Sequence, residues 1–180
     1  MNASILFISG SLRKGSYNTS LVNAFIENAP EGVTAQVADL SEIPHYSQDD
    51  EAAFPESVTT LKKQIEAADA IVIATPEYNR SIPGVLKNAI DWSSRPWGQN
   101  SWKGKTLYIV GASIGHIGTA VAQSHLKSVM TYLDMKVIGQ PEFFLGVARE
   151  KFNEEGALTD EGTKEHIRSA YETILKTLQK

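Results

Sequence analysis

A chain of 180 residues that is 42% hydrophobic and 21% charged is long enough to bury a sizeable core, and it is expected to form one domain over residues 1–180. The net charge of -4 gives no basic footprint for nucleic acid, and the absence of cysteine excludes disulfides, cysteine-ligated zinc, iron–sulfur clusters and thiol nucleophiles. No apolar run approaches membrane-spanning length and the start, MNASILFISG, lacks the basic residues of a signal peptide, so a cytoplasmic protein is expected.

In chain order, residues 4–9 (SILFIS) predict a buried strand and residues 20–29 (SLVNAFIENA) a helix. Residues 33–40 are the next strand. A polar loop containing Pro44 and Pro55 leads to a helix over 56–68, with Val58, Leu61 and Ile65 at helical spacing. Residues 69–75 (DAIVIAT) are β-branched and apolar on both faces. Residues 82–92 form a helix that Pro83 can start, because that position needs no N–H partner. A strand over 105–112 is followed by a helix over 120–135 that buries Ala122, Leu126, Val129, Met130 and Leu133. One short fifth strand falls within 136–146, and Ile167, Ala170, Tyr171, Ile174, Leu175 and Leu178 form the stripe of a last helix. Two-faced apolar strands alternating with helices predict an α/β fold with a parallel sheet covered on both sides. In such sheets ligands bind outside the carboxyl ends of the strands, which selects the loops after residues 9, 75 and 112.

The first of these loops, G-S-L-R-K-G-S at 10–16, narrowly misses a triphosphate-binding loop. Ser16 and Tyr17 stand where Lys and Ser/Thr would contact the terminal phosphate and its magnesium. What is present is a set of hydroxyls (Ser9, Ser11, Ser16, Thr19), the Asn18 amide and the Arg13 guanidinium at a helix start. That set suits one terminal phosphate group, and it also suits an ordinary turn in which Ser and Asn cap the helix. The second loop, TPEYNRSIPG at 75–84, offers a stiffening Pro76, amide donors and the Tyr78 ring for a planar heteroaromatic ligand; a rigid turn with Tyr78 in the core is the alternative. In the third, GASIGHIGT at 111–119, Gly111, Gly115 and Gly118 would allow close backbone approach to a ligand, or simply a Gly-rich helix entry. His116 lies there without a partner acid fixed by spacing, and is read as a solvent-facing loop residue.

The segments GSLRKGSYN, TPEYNRSIPGVLKNAIDWSSRP and GASIGHIGT resemble, in order and spacing, the three signature segments of the NADPH-dependent FMN reductase family, which includes quinone and chromate reductases. The resemblance covers about residues 4–146. It implies a flavodoxin-like three-layer sandwich, a five-stranded parallel sheet of order 2-1-3-4-5 with helices on both faces. It also implies non-covalent FMN with NADPH or NADH as electron donor. By position, Ser11, Arg13, Ser16, Asn18 and Thr19 would hold the FMN phosphate; Pro76, Glu77, Tyr78 and Asn79 would line the isoalloxazine ring; Ser113 and Gly115, with their neighbours, would approach its pyrimidine side. Relatives are commonly homodimers or homotetramers with the ring near a subunit boundary, which makes Asp91, Trp92 and Arg95 interface candidates, or else the end of a helix packed inside one subunit. Two positions depart from the family pattern. Gly118-Thr119-Ala120-Val121 stands where relatives often carry Gly-Gly-Ala-Arg, and Arg80 stands where an aromatic is frequent.

Flavin chemistry needs no catalytic side chain beyond binding and orientation. The implied activity is ping-pong hydride transfer from NAD(P)H to FMN N5, and then to a quinone, azo compound, flavin or metal-oxyanion acceptor. The alternative is a flavodoxin-type electron carrier that binds FMN without NAD(P)H turnover. Arg13 and the modest charge favour the reductase, because flavodoxins hold phosphate without Arg and are more acidic.

Overall fold

The computed structural model describes residues 2–179. Six parallel strands form one sheet, β1 (Ala3–Ser9), β2 (Val33–Ala38), β3 (Ala70–Ala74), β4 (Thr106–Ala112), β5 (Lys136–Val137) and β6 (Phe143–Leu145). The order is β2-β1-β3-β4-β5, with β6 also pairing β4. The helices are α1 (Tyr17–Glu27), α2 (Glu56–Ala67), α3 (Gly84–Ser93), α4 (Ala120–Tyr132) and α5 (Glu161–Leu178), with short 3-10 turns at Gln48–Ala52 and Ala148–Glu150.

Alternate residues of the central strands feed two cores. Ile5, Phe7, Val72, Tyr108 and Val110 pack with Leu21 and Phe25 of α1 and Ile167 and Tyr171 of α5. Leu6, Ile8, Ile71, Ile73, Leu107 and Ile109 pack with Leu61 of α2, Leu86 of α3 and Leu126 and Met130 of α4. The side-chain period of two puts adjacent residues on opposite faces, and both faces are dry, so the strands read as continuous apolar runs. The expected three-layer architecture and strand order are therefore present.

Several boundaries differ from the sequence expectation, each for a local reason. Helix α1 starts at Tyr17 because Ser16 caps it, accepting the Asn18 N–H at 3.3 Å. Pro83 is the N-cap of α3 rather than its first helical residue. Helix α4 stops at Tyr132, since Asp134 turns to a left-handed φ of 63°, and Val129 and Leu133 are only half-buried. The single fifth strand is two short pieces. Lys136–Val137 pairs the start of β4 and Phe143–Leu145 its end. Between them, Pro141 has no N–H for the ladder and its carbonyl instead accepts the Tyr108 hydroxyl at 2.8 Å.

Candidate active site

Strands β1, β3 and β4 end side by side at Ser9, Ala74 and Ala112, so the loops that follow converge at one edge of the sheet. They enclose an open cavity of about 450 Å³. Of the expected site residues, Ser11, Arg13, Ser16, Asn18, Pro76, Glu77, Tyr78 and Ser113 line it, and Thr19, Asn79 and Gly115 do not.

At one end of the cavity the first loop is rich in donors. Ser11 and Ser16 are buried, and Ser11 Oγ accepts the Arg13 N–H at 3.3 Å. The amides of Ser11, Leu12, Lys14 and Gly15 donate to no backbone carbonyl among the described residues. Helix α1 has no acidic residue in its first turn, so nothing of its own offsets the positive end of its dipole. Arg13 forms no ion pair among the described residues; its guanidinium lies 5.9 Å from the Tyr17 ring centroid and donates to Lys14 O at 3.2 Å. Amides that donate to no backbone carbonyl, two hydroxyls and a cation without an ion pair thus stand together at a helix start, a donor set whose chemistry suits an anion. A terminal phosphate fits it.

Two members of the phosphate set have side chains bonded within the protein. Asn18 is buried in the wall, but Nδ2 donates to Ala112 O at 3.0 Å and Oδ1 accepts the Ala112 N–H at 2.9 Å. Its amide therefore joins the first loop to the end of β4. Thr19 is exposed, and its hydroxyl pairs with Ser9 Oγ at 2.9 Å, joining the first turn of α1 to the end of β1.

The second loop supplies the opposite wall. Thr75 is buried and donates to Pro76 O at 2.8 Å. Tyr78 and Ser81 exchange backbone hydrogen bonds at 3.0 Å each way, closing a two-residue turn with Asn79 at φ 52° and Arg80 at φ 63°. Asn tolerates that conformation, whereas for Arg80 it costs on the order of 1 kcal/mol. Tyr78 is 49% exposed, which excludes the core-packing alternative and leaves its ring available to a ligand. Glu77 is turned to α4, where Oε2 accepts the Val121 and Ala122 N–H groups, each at 3.1 Å, and Oε1 accepts Arg80 Nη1 at 3.2 Å.

The third loop is tied down by Ser113, whose N–H donates to Leu145 O at 3.0 Å and whose hydroxyl donates to Gly115 O at 3.0 Å. Its three glycines differ in what surrounds them. A Cβ on Gly111 would lie 1.8 Å from Thr119 Oγ1, and one on Gly118 2.6 Å from the Phe144 carbonyl carbon. Those two permit packing within the protein; Gly115 alone faces open space. His116 is exposed.

Ala112 and Ile114, the neighbours of Ser113, also line the wall, and Ile114 is 74% exposed. Tyr17 was not anticipated, although it had a sequence signal, an aromatic directly after the basic loop. Of the interface candidates, Trp92 is excluded: it is fully buried, its indole donates to Pro44 O at 2.8 Å, and the Tyr46 and Phe54 rings meet it edge-on. Asp91 pairs with Lys87 at 2.8 Å, and Arg95 pairs with Glu51.

Residues 3–150 match the family described as NADPH-dependent FMN reductase. A 2-hydroxy-1,4-benzoquinone reductase from a Burkholderia species is 44% identical over 94% of this chain and 92% of its own. An NAD(P)H-dependent FMN reductase from Pseudomonas aeruginosa is 44% identical with the same coverage, and a quinone reductase from Escherichia coli is 41% identical over 91% and 88%. Among solved structures, the flavoenzyme NAD(P)H:(acceptor) oxidoreductase FerB from Paracoccus denitrificans superposes with a TM-score of 0.91 at 38% identity, covering 98% of this chain and 97% of that one. With a family model matched over residues 3–150 and relatives of this identity over nearly its whole length, the chain belongs to the NADPH-dependent FMN reductase family.

Proposed function

We propose that the protein is an FMN-dependent NAD(P)H oxidoreductase whose acceptor is a quinone, and that donor and acceptor use one opening in turn. The observation that carries this reading is the pairing, within one cavity, of an unpaired cation beside free amides with an exposed Tyr78 ring. When bound, FMN supplies hydride acceptance and electron donation, chemistry that none of the chain's own side chains provides. The chain's residues bind and orient. Arg13, Ser11, Ser16 and the amides of the first loop hold the phosphate, with Asn18 and Thr19 bracing that loop. Pro76 and Tyr78 form the wall against the ring, Asn79 sets the turn that presents Tyr78, and Ser113 with Gly115 brings backbone to the polar edge. Tyr78 and Ile114 are both exposed at the mouth, and an apolar rim suits a flat, uncharged acceptor. Relatives named quinone reductase at 40–44% identity support that class.

Anaerobic addition of NADPH to the FMN-loaded protein should bleach the flavin absorbance, and initial rates with a benzoquinone should give parallel double-reciprocal lines. Bound FMN that NADPH does not reduce would overturn the reductase reading in favour of a carrier. Intersecting lines would overturn the alternating use of one opening. We also propose that the protein assembles as a homodimer or homotetramer, supported by Trp97 and Tyr132, which are 82% and 79% exposed; a monomer in sedimentation would refute this. No helix of the described residues is long and apolar enough to cross a membrane. A cytoplasmic location, where NAD(P)H is available, is the corresponding proposal, and recovery in a membrane or secreted fraction would oppose it.

A further inference from the structure

Helix α4 begins without a cap of its own. Its N-cap residue, Thr119, has a left-handed φ of 68° and makes no capping bond; its hydroxyl instead accepts Gln123 Nε2 at 3.2 Å, and no acidic residue stands in the first turn. The cap comes from another loop. Glu77, with only 13% of its side chain exposed, accepts the Val121 and Ala122 N–H groups at 3.1 Å each, so a carboxylate meets the positive end of the helix dipole. A second link lies one turn further along, where His125 Nδ1 and Ser81 Oγ are 3.2 Å apart. The Tyr78 turn is thus fastened to α4 at both of its ends.

We propose that Glu77 is a positioning residue: by capping α4 it fixes the Tyr78 turn against the 113–119 loop and so sets the opening through which donor and acceptor reach the site. This rests on the reductase reading for its kinetic consequence, though not for the cap itself. The phosphate loop is tied separately, by Asn18 on Ala112, so the phosphate's share of FMN affinity should be nearly independent of Glu77.

The test compares Glu77→Ala with Glu77→Gln, whose amide oxygen still accepts from both N–H groups. In Glu77→Ala the Val121 and Ala122 amides should exchange with deuterium at least about tenfold faster, as loss of charge-assisted bonds at a helix end implies. The KM for NADPH and benzoquinone should rise about tenfold with a smaller change in kcat, while the ratio of FMN to riboflavin affinity, which reads the phosphate loop, moves by less than about threefold. Glu77→Gln should restore most of both effects. Unchanged amide exchange in Glu77→Ala, unchanged KM values, or a Glu77→Gln variant as impaired as Glu77→Ala would overturn the proposal. If the wild-type protein failed to oxidise NADPH, the reductase reading would fall, and the exchange rates would still decide whether Glu77 holds the two loops together.

Discussion

Arg13 is the clearest case in which residue type and placement agree. A guanidinium held against the Tyr17 ring, beside amides that donate to no backbone carbonyl, keeps donors for an incoming phosphate besides the one bonded to Lys14 O. Charge-assisted hydrogen bonds to an anion are worth about 1.5–3 kcal/mol, so Arg13→Ala should weaken FMN binding by about tenfold or more. Riboflavin, which lacks the phosphate, should bind wild type and variant alike. Fluorescence titration of both ligands separates the outcomes, and equal loss for riboflavin would remove Arg13 from the phosphate site. That Ser11, Arg13 and Ser16 would stand together in the cavity wall was legible because they belong to one short loop. The actual partners of Asn18 and Glu77 were not, because Ala112 lies 94 positions away and Val121 44 positions away. Nothing in a linear pattern records which distant backbone group a short polar side chain will meet.

The elements were legible where a periodic apolar pattern runs long, as in α5, and less so at their ends. Helix ends depend on single capping contacts. Asp160 caps α5, accepting the Thr163 N–H at 2.8 Å and hydroxyl at 2.6 Å, and pairs with Lys151 at 2.7 Å. The Lys151 ammonium, followed by the Thr163 donors, holds its carboxyl down to about 2. A carboxyl depressed on folding contributes stability above its unfolded value, near pH 4, and loses it as the pH falls through the folded value near 2. Urea unfolding of the wild type should therefore weaken over that window more than unfolding of Asp160→Asn, which has no carboxylate to protonate. Parallel pH profiles would count against the cap. Lys62 plays a comparable part for α3, where its ammonium donates to Ser93 O, Arg95 O and Gln99 O at 3.2, 2.7 and 2.8 Å. Burial lowers its pKa, and the three carbonyls give the charge its partners.

Across the whole molecule, the two cores hold the strand ends in register and so hold the three loops at one edge. Phe25 is central to the core on the α1–α5 side, with ring centroids 6.2 Å from Phe7, 5.4 Å from Phe143 and 5.7 Å from Tyr171, whose hydroxyl donates to Phe25 O at 2.6 Å. Truncating it to Ala should cost about 3–5 kcal/mol, read as a lower urea midpoint with an unchanged slope. A loss below about 1 kcal/mol would mean that the site collapses around the cavity.

The alternation of apolar strands with helices and the composition of three loops were enough to specify the layered parallel sheet and the edge at which the three loops enclose a cavity. Those features depend on local periodicity and residue chemistry, which the chain carries in linear form. The division of the fifth strand, the packing role of Gly111 and Gly118, the burial of Trp92 and the attachment of Glu77 to α4 were decided by the folded arrangement. Each depends on which backbone group, from a segment remote in sequence, arrives within hydrogen-bonding or van der Waals distance once the sheet has closed.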